Sequence, residues 1–139
     1  VARKYDDITV GKVFEKKRKV TDEMIREFAK ITGDDNPVHL DEEYARSTIF
    51  GGRIAHGILI LGLVSAVLGR DFPGPGTIYL KQDAKFKRPV YLDEEITIRV
   101  EVLEKITGKS RIRLSTQVIK SNGEIAVDGE ALVMFRDES

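Results

Sequence analysis

The chain has 139 residues, no cysteine, and 23 basic against 23 acidic side chains, for a formal net charge of zero. One compact domain spanning 1–139 is expected, and a chain of this length buries roughly 68% of its unfolded surface without needing staples. The composition excludes disulfides, thiolate zinc sites and cysteine nucleophiles, and the charge balance argues against nucleic acid or an anionic membrane as partner.

In chain order, the opening "VARKYDDITVGK" shows no secretory pattern, so a cytoplasmic protein is expected. "KVFEKKRKV", residues 12–20, alternates weakly and predicts a first strand. Thr21 predicts an N-cap, with Asp22 and Glu23 in the first turn where the helix dipole favours anions. Met24, Ile25, Phe28, Ala29 and Ile31 recur at helical spacing, and Gly33 suits the left-handed residue that closes a helix. Pro37 disfavours helix at Asn36, so "DDNP" predicts a turn, followed by a short helix near Asp41 to Ser47.

The stretch from Ile54 to Gly69 is apolar on every side. It falls short of the about 20 apolar residues that span a bilayer, so it predicts a buried core helix rather than a membrane segment. Four strand-like runs follow: "IYLKQDAKFKRPV", "EEITIRVEVLEKI", "KSRIRLSTQVIKS" and "GEIAVDGEALVMFR". Ile96, Ile98, Val100 and Val102 share one face of the second, and Ile112, Leu114, Thr116 and Val118 one face of the third. Asn122-Gly123 is a hairpin signal. Short connections make the sheet antiparallel, and helices segregated from such a sheet make the class α+β. A sheet covers only one side of a helix. The other side of the apolar helix must meet the N-terminal elements or a second copy, so a homodimer is expected.

Both histidines, an acid cluster and the apolar helix fall between residues 31 and 62. Asp34, Asn36 and His39 sit around one turn pinned by Gly33 and Pro37. A carboxylate beside a neutral imidazole can move protons near neutral pH, and Asn36 can hold the pair or the turn. The same residues also suit an ordinary helix exit with side-chain capping. His56 and Gly57 open the apolar helix, where unpaired amides carry partial positive charge. Gly57, without a side chain, lets a ligand oxygen approach its N–H, although the glycines also serve simply to turn the chain. Ser65 lies two turns further on, as a back-bonded core serine or a contact of the acid–imidazole site. Two histidines without cysteine are a poor zinc set, so no metal is expected. Ser65 lacks the nucleophile-elbow pattern, and the glycines match neither phosphate-binding fingerprint. Lys81, Lys85, Lys87 and Arg88 form a solvated strand face or meet the phosphates of a carrier.

"FAKITGDDNPVHLDEEYA", followed by "FGGRIAHGILILGLVSAVLG", resembles the MaoC-like hydratase family, whose members include R-specific enoyl-CoA hydratases. The likeness runs on through "PGPGTIYLKQDAKFKRPVYLDEEITIRVEV" and covers essentially the whole chain. It implies a hot-dog fold, an antiparallel sheet wrapped around a central apolar helix. It places the catalytic acid on Asp34, the variable residue on Asp35, the motif asparagine on Asn36 and the catalytic imidazole on His39. The oxyanion amide falls on Gly57 and the helix serine on Ser65, with His56 in a supporting place.

The implied reaction is reversible hydration of trans-2-enoyl-CoA to (R)-3-hydroxyacyl-CoA, in fatty acid or polyhydroxyalkanoate metabolism, by a homodimer without a cofactor beyond the coenzyme A of the substrate. The alternatives are a hot-dog acyl-CoA thioesterase, disfavoured because Gly57 to Gly69 holds no carboxylate, and a 3-hydroxyacyl-acyl-carrier-protein dehydratase.

Overall fold

The computed structural model describes Ala2 and residues 4–137. Strand β1, Val13–Lys19, leads into helix α1, Asp22–Thr32. Thr21 caps α1 by accepting from the Met24 amide at 3.2 Å, and Gly33 closes it at φ 82°, a backbone angle that favours glycine. Ile25 and Ala29 are buried beneath it, but Ile31 is 84% exposed and falls off the packed face.

The "DDNP" segment departs from the expectation of a simple turn. Pro37 opens a one-turn helix α2, Pro37–Leu40, which carries His39. Proline suits this first helical position because its missing N–H has no helical acceptor there. The Asn36 side chain caps α2 by accepting from the Val38 amide at 3.1 Å. Helix α3, Glu42–Arg46, follows and is capped by Asp41.

Helix α4, Gly57–Ala66, is the apolar one, and a wider π-type turn, Val67–Asp71, prolongs it. Leu59, Ile60, Leu63, Val64, Val67 and Leu68 are buried. The expectation that every side is wrapped does not hold within one chain. Ile58 is 60% exposed, and Gly62, Ser65 and Ala66 share its bare side.

Strands β2 (Thr77–Gln82), β3 (Lys85–Phe86), β4 (Glu95–Ile106), β5 (Arg111–Ile119) and β6 (Ile125–Phe135) complete an antiparallel sheet in the order β1-β4-β5-β6-β2, with β3 also on β6. The first of the four expected runs is thus two strands. They part where the chain crosses close over Gly129, whose hypothetical Cβ would stand 2.1 Å from the Asp83 carbonyl oxygen. The hairpin between β5 and β6 forms as expected, with Gly123 at φ 89° and the Gly123 amide on the Lys120 carbonyl at 2.9 Å.

The alternation in β4 and β5 is seen directly. Ile96, Ile98, Val100, Ile112, Leu114 and Val118 are completely buried. Thr116, on the same face, is satisfied by the Gln82 side-chain amide at 2.9 Å. The other face is polar, with Arg113 bridging Glu104 at 3.3 Å and Glu130 at 3.0 Å. Among the described residues no helix is long and apolar enough to cross a membrane.

A buried ion pair locks the end of the β5–β6 hairpin to the start of β4. Lys120 Nζ lies 2.9 Å from Glu94 Oε1, with both side chains about nine-tenths buried. Burial pushes the Glu94 carboxyl up. The Lys120 ammonium and the Tyr91 and Ser121 amides outweigh it and hold the group below the usual carboxylate range. A carboxylate lowered in the folded state stabilises above its unfolded pKa, and the contribution disappears as pH falls through the folded value. Glu94→Gln should therefore cost about 3 kcal/mol at pH 7 in a denaturant titration, because it strands the buried Lys120 charge. The gap between variant and wild type should close in acid, below the ordinary carboxylate range.

Candidate active site

The site is assembled by a strap, residues 53–55, which runs between α2 and the approach to β4. On one side the Ala55 amide donates to the Val90 carbonyl at 2.8 Å and the Leu92 amide to the Arg53 carbonyl at 3.1 Å. On the other the Ile54 amide donates to the Val38 carbonyl at 3.3 Å. The strap delivers His56 and Gly57 to the start of α4, directly against α2.

A carboxylate oxygen of Asp34 and one ring nitrogen each of His39 and His56 lie within 4.8 Å of one another. Asp34 is exposed, whereas both imidazoles are buried, His39 at 8% and His56 at 3% exposure. His39 Nδ1 lies 2.7 Å from the Ile54 carbonyl. A carbonyl only accepts, so Nδ1 carries the proton and the neutral ring leaves Nε2 with a free lone pair. Burial lowers the His39 pKa from the ordinary imidazole value. The Ile54 hydrogen bond raises it, the neighbouring His56 lowers it further and Asp34 raises it, with a net fall. His39 therefore stays a neutral acceptor at neutral pH.

Asp35, next to Asp34, is exposed and outside this cluster. Asn36 serves as the cap of α2, and its own amide donates to Asp34 Oδ1 at 3.4 Å, so it shapes the turn. Gly57 is the first residue of α4, and the side chain of the N-cap residue His56 makes no capping hydrogen bond. Among the described residues no hydrogen bond engages the Gly57 amide. The Phe86 ring closes over this point, and a Cβ on Gly57 would meet it at 2.9 Å. A hollow of about 300 Å³ opens here, lined by Phe50, Ile54, Gly57, Phe86 and Arg88.

Ser65 is not the buried serine expected from its apolar neighbours. It is exposed, and it lines a separate groove of about 360 Å³ with Ile58, Leu61, Tyr79 and Leu80. Of the four basic residues near β2 and β3, Lys87 is 3.6 Å from Asp128 and Arg88 is 2.9 Å from Glu124, while Lys81 lines the Ser65 groove.

The cluster has three residues of metal-ligating type, but its geometry is poor for an ion. The His39 and His56 rings are stacked with centroids 3.8 Å apart and planes at 29°. Ring lone pairs lie in the ring plane, so two stacked imidazoles do not converge on one cation.

Two residues escape the sequence reading. Arg53 is buried; its Nε donates to the His39 carbonyl at 2.6 Å and its terminal nitrogen pairs with Asp22 at the start of α1. It neutralises the open C-terminal end of α2 behind the imidazole. The hint was a lone charge inside the otherwise uncharged stretch "FGGRIAHG". Phe86, the other, is the single aromatic among the lysines of "KQDAKFKRP". Arg53→Lys, which keeps the charge but loses the fork, should lower stability by about 2 kcal/mol in chemical denaturation and slow turnover with it.

Comparison with known proteins gives the family and the fold. The family model described as "MaoC like domain" matches residues 8–124. A 3-hydroxybutyryl-CoA dehydratase of Methylorubrum extorquens is 43% identical over 93% of this chain and 82% of its own length. An (R)-specific enoyl-CoA hydratase of Rhodospirillum rubrum is 38% identical over 94% of this chain and 90% of its own. The solved structure of an R-hydratase from Pseudomonas aeruginosa, unliganded, superimposes with a TM-score of 0.94 at 43% identity, covering 99% of this chain and 88% of that one. With the acid–imidazole turn, the glycine at the start of the apolar helix and the wrapped sheet all in place, the chain belongs to the MaoC-like family and has its hot-dog fold.

Proposed function

We propose that the protein is a hydro-lyase that reversibly hydrates trans-2-enoyl-CoA to (R)-3-hydroxyacyl-CoA. What supports this reading is a carboxylate clustered with a neutral imidazole whose Nε2 is free, joined by His56, the residue immediately before the helix-start amide of Gly57. Relatives named for the two directions of such a reaction, 43% and 38% identical, support it.

In this reading Asp34 and His39 Nε2 hold one water between them. As its oxygen bonds to the β-carbon of the enoyl group, the water gives up a proton to the pair. The electron pair of the double bond moves through the conjugated system to the thioester oxygen. The Gly57 N–H donates to that oxygen while charge builds on it, helped by the positive end of α4. The α-carbon then takes the proton, which completes the addition of water with nothing left over. These steps call for proton transfer and oxyanion stabilisation alone. The reading therefore assigns no resident cofactor, and coenzyme A enters with the substrate.

The same reading takes the protein to be a cytoplasmic homodimer. The bare side of α4 and the edge strand β2 present Ile58, Ile78, Tyr79 and Leu80, each at least 38% exposed, around the Ser65 groove. A second copy would cover this apolar face and the exposed strand edge together.

The test is to follow a short trans-2-enoyl-CoA by ultraviolet absorbance in the presence of a thiol reagent, with chiral analysis of the product. Loss of the enoyl absorbance without released thiol, giving the R alcohol, is the expected result. Released thiol would mean a thioesterase, and no change in either signal would mean a silent binding protein.

A further inference from the structure

The hydration mechanism uses His39 and leaves the second buried imidazole without a task. The His56 ring is held in three ways at once. Its Nε2 lies 3.0 Å from the Asp34 backbone carbonyl, so this nitrogen carries the proton and donates. One face stacks on His39 with centroids 3.8 Å apart. Phe28 tilts against it at 4.7 Å and 53°. The remaining nitrogen, Nδ1, is buried and has no hydrogen-bond partner among the described residues.

A bare buried acceptor is unfavourable, and a purely apolar ring would fill this space without that defect. The place is nonetheless held by an imidazole, whose one engaged polar atom reaches the residue bearing the acid. We infer that His56 is a positioning residue, whose donor fixes the backbone of Asp34 while its ring fixes the plane of His39, so that the carboxylate and the Nε2 lone pair stay aimed at one water. This rests on the hydration reading of the same site. The residue is also the one immediately before Gly57, so a single side chain ties the acid, the base and the oxyanion amide into one unit.

The groups facing His39 are Asp34 from its turn, His56 from the start of α4, and Arg53 from the strap, with Asp22 of α1 behind it. Phe28 of α1 backs the His56 ring. Removing the His56 ring uncovers one face of His39 and takes away a neighbour that opposes its protonation. Both changes raise the His39 pKa, in the direction opposite to its present displacement.

Two variants separate the two holds. His56→Phe keeps the ring and loses the donor. His56→Gln keeps a donor at the place of Nε2 and loses the ring. Each is measured for kcat and KM on a short enoyl-CoA, for the pH dependence of kcat/KM, and for the His39 titration midpoint by nuclear magnetic resonance. His56→Phe should fold with close to wild-type thermal stability and lose about 10- to 100-fold in kcat, as expected when a catalytic group is misplaced. Its KM should stay within about twofold, since the His56 donor acts on the Asp34 backbone and not on the substrate. His56→Gln should raise the His39 midpoint and carry the acid limb of kcat/KM upward with it. Wild-type kcat in His56→Phe together with an unmoved His39 midpoint in His56→Gln overturns the role. So does a loss in His56→Phe that falls on KM alone. A midpoint that moves as expected in a protein that hydrates no enoyl thioester supports the hold on His39 and overturns the hydration reading instead.

Discussion

Asp34→Asn and His39→Ala should each lower kcat for enoyl-CoA hydration by about 10²-fold or more, while Asp35→Asn stays near wild type. The magnitude is that of a lost proton-transfer group. The contrast between Asp34 and Asp35 is geometric. Both acids are exposed, but only Asp34 brings its carboxylate within 4.8 Å of the imidazoles. Steady-state rates on a short enoyl-CoA, after each variant is shown to have wild-type circular dichroism, check the prediction. The stability effects should be small for the asparagine variants, since among the described residues neither carboxylate belongs to an ion pair. A profile in which Asp35→Asn is the dead variant would move the acid by one residue and contradict the arrangement.

The second large effect concerns a backbone donor, which side-chain replacement ordinarily leaves untouched. Gly57 is the first residue of α4, where proline is well tolerated because the helix makes no use of that N–H. His56, before it, has φ −61° and ψ 133°, a conformation that also suits the residue preceding proline. Proline at 57 therefore deletes the proposed oxyanion donor with little demand on the fold. Any side chain at 57 meets the Phe86 ring at 2.9 Å, so the comparison belongs in a Phe86→Ala background. Gly57→Ala with Phe86→Ala should retain much of the activity of Phe86→Ala alone. Gly57→Pro with Phe86→Ala should lose a further 10²- to 10³-fold in kcat, about 3–4 kcal/mol, as for removal of one oxyanion donor. Equal rates for the two double variants would remove the Gly57 amide from the mechanism.

The sequence shows most of the secondary structure because its signals are local. Thr21 and Gly33 cap α1, and the alternating residues of β4 and β5 line the core, as periodicity and capping chemistry dictate. The misplacements come from long-range packing. Ile31 sits at helical spacing yet faces water, because it lies off the face of α1 that Ile25 and Ala29 bury. The split of the first strand run at Asp83 depends on Gly129, a residue of a distant strand. Ser65 is apolar in its surroundings along the chain but exposed in space, because one chain leaves that side of α4 open. The acid–imidazole turn is legible as a motif, whereas the Arg53 hold on the His39 carbonyl joins residues that no short spacing connects.

The most direct measurement is a crystal structure of the Asp34→Asn variant with an (R)-3-hydroxyacyl-CoA bound. The product's hydroxyl oxygen should lie within hydrogen-bond reach of both the residue 34 side chain and His39 Nε2, with the thioester oxygen on the Gly57 N–H. An alcohol group remote from that pair, or a thioester carbonyl that ignores the start of the apolar helix, would contradict the mechanism.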